Sequence, residues 1–209
     1  MQTLFSPDSK FMQAMSRVCD LLILNLIFLL SCIPVITIGA ASTALYTVCF
    51  RFGTEREQGV VKSYFRAFRE NFKQATVLWL ILMLCGGTAC WNAVFFYQMP
   101  SPLHYAFILF AGLFVLALLI AAYVFPLLSQ FSNDSRSTLK NALILSIAYL
   151  PRSAVIAAIL VFPFVLLFLD LYLFFQTGFI WVTFYFSAAA YINSLLLKKV
   201  FAPFLNEEA

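Results

Sequence analysis

Four long stretches of this chain carry no charge at all, and they restrict its fold more than any other feature. Residues 76–97, 103–128, 153–169 and 177–197 contain no Lys, Arg, Asp or Glu. A helix rising 1.5 Å per residue needs about 20 residues to cross a hydrocarbon core of about 30 Å, and most of these stretches are that long. Residues 21–50 form a fifth uncharged run, too long for one simple span and interrupted by "CIPVITIGAAST". Backbone N–H and C=O groups find no water in lipid, so spans of this kind satisfy them internally as helices. The composition agrees. It is 63% hydrophobic and 11% charged, against about 45–50% and about 25% in soluble domains. The expectation is a single all-α integral membrane domain over residues 1–209, a polytopic transmembrane helical bundle.

The run 21–50 decides the number of spans. Pro34 removes a backbone donor, and the β-branched residues of "PVITIG" suit a helix poorly. Gly39 permits a sharp change of direction. Pro34, Thr37 and Gly39 therefore mark a structural bend between a first span near 20–33 and a short second one near 39–54. Residues 7–20 read as an interfacial helix leading into the first span. The small residues near 39–42 also suit a signal-peptide cleavage site, but another apolar segment follows, so the segment reads as a retained first span. Later spans fall near 76–97, 103–128, 153–174 and 178–197.

Cations set the orientation. Residues 51–73 hold six Lys or Arg, 129–140 holds Arg136 and Lys140, and Lys198 and Lys199 lie near the end, whereas 98–102 and 170–178 hold none. Lys and Arg accumulate in cytoplasmic loops. The C-terminus is then cytoplasmic. Six spans place Lys10 and Arg17 inside as well, as the rule favours; five place them outside. The net charge of +4 belongs to this topology rather than to nucleic acid.

The stretch "KSYFRAFRENFKQAT", 62–76, stands out. Lys62, Arg66, Arg69 and Lys73 recur at helical spacing on one face, and Val61, Phe65, Phe68 and Phe72 form a second stripe about a quarter turn away. The pattern predicts a cytoplasmic amphipathic helix over 60–74, continuous with or sharply joined to the third span at Thr76. Its basic stripe has two main readings. One is orientation with anionic-lipid contact, worth about 1 kcal/mol per basic residue near the surface. The other is a docking helix for a protein partner, suggested by the aromatic stripe and by Glu70. "SRSTLKNALIL" repeats the arrangement more weakly before the fifth span.

Polar residues inside apolar runs are the remaining candidates. Asp170 in "LLFLDLYLFF" is costly in hydrocarbon, but it lies close to Gln176 and Thr177, where an interfacial position removes that cost. Asn25, Asn92 and Asn193 suit interhelical hydrogen bonds. Trp79, Trp91 and Trp181, with Tyr97, Tyr105 and Tyr172, fit aromatic belts at the two interfaces. No catalytic, cofactor or metal pattern is present. The chain has one His and no CxxC, HExxH, paired-carboxylate segment or phosphate loop. No enzyme class and no cofactor is expected.

Two landmarks in the chain are familiar. "NLIFLLSCIPVITIGAASTALYTV" with "YFRAFRENFKQAT", and later "YVFPLLSQFSNDSRSTLKNALILSIAYLP", resemble the YesL-like family of bacterial membrane proteins. Asn25, Pro34, Thr37, Gly39, Phe72 and Lys73 fall on the first landmark; Ala40 departs from it, since many members carry proline there. That family is of unknown function, and its genes commonly lie beside those for carbohydrate ABC importers, mostly in Gram-positive bacteria. The resemblance implies a non-catalytic plasma-membrane accessory subunit that binds the permease of an oligosaccharide ABC importer. A stand-alone small-solute carrier or channel using Asp170 and the buried amides is the alternative, and a membrane sensor of carbohydrate uptake a weaker one.

Overall fold

In the computed structural model of the chain, residues 10–52, 59–100 and 102–205 are described, apart from the side chains of residues 10, 11, 13, 14 and 203–205. Residues 7–9 of the expected interfacial helix and Arg56 of the cationic loop lie outside the described residues. Every regular element among the described residues is helical. Helix α1 (Lys10–Ser31) is one continuous helix of 22 residues. The interfacial segment and the first apolar segment therefore merge, because neither glycine nor proline separates them.

The bend follows at once. A 3-10 turn, Val35–Thr37, leads from the end of α1 into α2 (Ile38–Arg51). Pro34 precedes that turn in an extended conformation. The Thr37 hydroxyl is shared between the Ser31 carbonyl at 2.6 Å and the Pro34 carbonyl at 2.7 Å, so Thr37 ties off carbonyls that the broken helix leaves open. Gly39 has a different part from the one its sequence context suggests. It sits in the first turn of α2 with helical backbone, so it supplies no pivot. A Cβ there would lie 2.5 Å from the Ala75 carbonyl oxygen and 2.7 Å from the Trp79 Cβ. The hydrogen side chain lets two helices touch backbone to backbone.

Helix α3 (Val60–Tyr97) has 38 residues, about 57 Å at helical rise. The amphipathic segment and the third apolar run are thus one unbroken rod. A second 3-10 turn, Pro102–Tyr105, reverses the chain into α4 (Ala106–Gln130). The two helices form a hairpin, with Phe96 stacked on Phe110 at 5.4 Å and Trp79 against Phe125 at 6.2 Å. The Gln74 amide closes the far end on the Asn133 carbonyl at 2.7 Å. Helix α5 (Ser135–Ala148) is capped by Asp134, whose carboxylate accepts from the Arg136 N–H. After Tyr149 come α6 (Leu150–Leu169), the short α7 (Leu171–Gln176) and α8 (Gly178–Ile180). A π-turn, Trp181–Tyr185, then leads into α9 (Phe186–Leu205).

Among the described residues four helical stretches are long and apolar enough to cross a bilayer: Val60–Tyr97, Pro102–Gln130, Leu150–Leu169 and Gly178–Ala202. The chain is an integral membrane protein. Helix α2 has 14 residues, about 21 Å, which is shorter than a hydrocarbon core of about 30 Å. Yet it is buried from Gly39 to Phe50 at every position but Ser42. It packs on α1, α3, α4 and α9. Its first turn touches Ala75, and its last residue, Arg51, donates to the Ser63 hydroxyl at 3.1 Å. Helix α2 therefore runs antiparallel against the first half of α3. On another side Phe50 meets Phe201 of α9 at 6.0 Å.

A buried amide joins α1 to the π-turn. The Asn25 carboxamide donates to the Val182 carbonyl at 2.7 Å and the Trp181 carbonyl at 3.2 Å, and accepts from the Ser187 N–H at 3.0 Å. It spans an acceptor at 182 and a donor at 187, the five-residue spacing of a π-turn. Asn25 is fully buried and satisfies backbone that α9 leaves irregular.

Two outcomes follow from these contacts. Gly39→Ala should lower the thermal midpoint of the detergent-purified chain, since overpacking of this kind costs about 1–3 kcal/mol. Gly112→Ala, where nothing lies within 4 Å of the added carbon, should leave the midpoint unchanged or raise it. Equal midpoints for both variants would dismiss the close-approach role of Gly39. Asn25→Leu should cost about 2 kcal/mol, three bonds at about 0.6 kcal/mol each in a membrane bundle. Asn25→Asp keeps the acceptor but removes both donors, so in the same melting assay it should fail to recover the loss.

Candidate interaction surface

The first half of α3 has two faces, and α2 determines which one is buried. Val60, Ser63, Tyr64, Ala67 and Ala75 face inward and are buried. Helix α2 meets this face with Gly39 against Ala75, a contact that only small side chains allow at that range. This inward stripe was legible as small residues at 63, 67 and 75, a pattern that the phenylalanines overshadow. Of the aromatic stripe, Phe68 alone is half-buried against the core, stacked on Tyr64 at 6.3 Å. Phe65 is 53% exposed and Phe72 38%, and Val61 is exposed beside them.

All four cations of the stripe, Lys62, Arg66, Arg69 and Lys73, are exposed. Glu70 lies 3.7 Å from Arg66, and at such exposure that pair contributes little to stability. Phe65, Phe68, Arg69, Glu70, Phe72 and Lys73 line an open groove of about 570 Å³. The arrangement can do two things chemically. It can offer charge-assisted hydrogen bonds to carboxylate or phosphate, bidentate from the arginines. It can also offer aromatic surface to an apolar side chain set between those charges.

The other sequence candidates lie apart from this face. Asp170 is exposed and stands at the break between α6 and α7, where its carboxylate accepts from the Leu173 N–H at 3.0 Å. It is the N-cap of α7. Asn25 lies in the core on the π-turn. Asn193 donates to the Tyr46 hydroxyl at 3.5 Å, a long contact between α9 and α2, and its side-chain oxygen is buried without a hydrogen-bond partner.

Asn92 makes no bond to another helix. Its amide donates to the Thr88 carbonyl four residues back, and the residue lines the groove between α3 and α4. The belt also divides. Trp91, Tyr97, Tyr105 and Tyr172 are exposed, but Trp181 is buried, stacked on Phe174 at 5.9 Å and donating to the Phe174 carbonyl. Trp79 donates to the Val35 carbonyl at 2.8 Å, which ties the bend to α3.

Residues 21–93 match the family model described as "Protein of unknown function, DUF624". That segment runs from within α1 through most of α3, so it contains Asn25, the bend, α2 and the basic face. Over 162 residues the chain is 30% identical to "Uncharacterized protein YteU" of Bacillus subtilis (strain 168), covering 76% of this chain and 72% of the relative. No solved structure matches. With its first helices matched by the family model and its likeness to that relative spread over most of both chains, the chain belongs to the DUF624 family of proteins of unknown function.

Proposed function

We propose that this protein is a non-catalytic accessory subunit of the bacterial plasma membrane that associates with the permease of an oligosaccharide ABC importer. One observation carries the reading. A membrane-length apolar half and a half with exposed cations and phenylalanines lie on the single unbroken helix α3. Such a rod can meet a membrane partner within the bilayer and continue the contact outside it. The importer as partner comes from the YesL-like resemblance of the two landmarks, and the cytoplasmic side from the cation-rich connections.

The stand-alone carrier has less to draw on. Asn25 is committed to the backbone of the π-turn, and Asp170 is exposed as a helix cap. The grooves between α6 and α9 and between α3 and α4 are lined mainly by side chains such as Ile159, Phe162, Ile81 and Leu116. Those surfaces suit acyl chains or a partner helix better than a hydrated solute.

Affinity purification of the tagged full chain from native membranes in mild detergent tests the proposal. The expected result is recovery of an importer permease pair in near-stoichiometric amount. Recovery of the chain alone, together with solute flux when it is reconstituted by itself in liposomes, would overturn it.

A further inference from the structure

We infer that the basic-aromatic face of α3 docks an acidic protein segment bearing large apolar side chains, and that this contact lies beyond the lipid headgroups. It deepens the accessory-subunit reading and rests on it only for the identity of the protein that supplies the segment.

Length decides between lipid and protein. If the uncharged residues 76–97 fill the hydrocarbon core, α3 continues outward without a bend, because Val60–Tyr97 is one helix. At 1.5 Å per residue, Phe72 then lies about 6 Å past the core edge, Phe65 about 16 Å and Lys62 about 21 Å. The headgroup layer is only about 5–7 Å thick on each side. At the average helix tilt of about 20°, residues 76–97 still cover about 31 Å and Phe65 lies about 15 Å out. Lipid can therefore cover Phe72 and Lys73 but does not reach Phe65, Arg66 or Lys62. A helix that binds a membrane surface lies in the interface plane, and the rigid continuation into the apolar half prevents that. Charge attraction to anionic headgroups also fades over a Debye length of about 8 Å.

Charge and shape then specify the partner. The face carries four cations against the one carboxylate of Glu70. Lys62, Arg69 and Lys73 meet no acidic side chain among the described residues. A single exposed phenylalanine is ordinary on a surface. Here, however, Phe65 and Phe72 flank the half-buried Phe68, and Arg69 and Lys73 border the same groove. The complementary ligand places an aliphatic or aromatic side chain between the rings and carboxylates beside the arginines. A phosphodiester backbone supplies the charge but not the apolar insertion.

The test places p-benzoylphenylalanine at Phe65 in the full chain, expressed in native membranes, with the same label at Leu84 for comparison. Leu84 is 69% exposed in the apolar half of α3. Irradiation should give a protein adduct from position 65, with the captured peptide rich in Asp or Glu and containing large apolar residues, while position 84 labels lipid or a membrane helix. Reversing Arg69 and Lys73 together to glutamate should reduce the adduct at least tenfold, and Arg66→Lys with Arg69→Lys should reduce it severalfold. Labelling of lipid alone from position 65, or an adduct on a peptide without carboxylates, would overturn the inference. An acidic adduct on a protein unrelated to an importer would sustain the docking contact and remove the importer. Importer recovery with lipid-only labelling at 65 would do the reverse.

Discussion

The approach of Gly39 to the α3 backbone at Ala75 is the contact on which the remaining packing depends. It allows α2, a helix too short to cross a bilayer, to sit inside the bundle with α1, α3, α4 and α9 around it. Where two helices meet backbone to backbone, packing at close range supplies much of the hold between them. Small side chains on α2 and on the inner face of α3 provide that range. A bulkier residue at position 39 would force the two backbones apart.

The second constraint is polar. A backbone that departs from regular helix within a membrane protein must have its groups satisfied by something other than water. The chain meets this in two ways. Thr37 binds the carbonyls at the bend, and Asn25 binds both carbonyls and the N–H around the π-turn. Both are small side chains whose hydrogen bonds fix an irregularity instead of lining a path. Asp170 follows the same logic at the surface, where a break between two helices leaves N–H groups for its carboxylate.

Much of the architecture was legible in the sequence for reasons tied to particular residues. The uncharged runs gave the four long helices, because hydropathy over about 20 residues is a strong signal. Pro34 and Thr37 gave the bend. The single helix over 10–31 agrees with an interfacial segment leading into the first apolar run, since no glycine or proline separates the two. The burial of α2 was hidden. Its alanines, glycine and threonines are as compatible with a short span as with a central strut, and only the partner positions at Ser63, Ala67 and Ala75 distinguish the two. The π-turn left no mark in "WVTFY", and Asn25, which answers it, is 156 residues away along the chain. The basic face was legible residue by residue. Which phenylalanines face outward was not, because that depends on what α2 leaves uncovered.

The two amphipathic segments show how one residue converts similar patterns into different mechanics. Both "YFRAFRENFKQAT" and "SRSTLKNALIL" lead toward an apolar run. In the first, nothing between Val60 and Tyr97 interrupts the hydrogen-bond ladder, and the result is a single rod. In the second, Pro151 lacks the N–H that would bond back to the Ile147 carbonyl, and its ring would clash with that carbonyl in a continuous helix. The chain breaks at Tyr149, which sits at φ −114° and ψ 41°, between α5 and α6. Helix α5 is thereby free of the direction of α6 and can fold onto α4, burying Thr138, Ala142 and Leu145. The first half of α3 has no such freedom. It must extend along the axis of its apolar half, and so it holds its cations and phenylalanines at fixed positions along that axis.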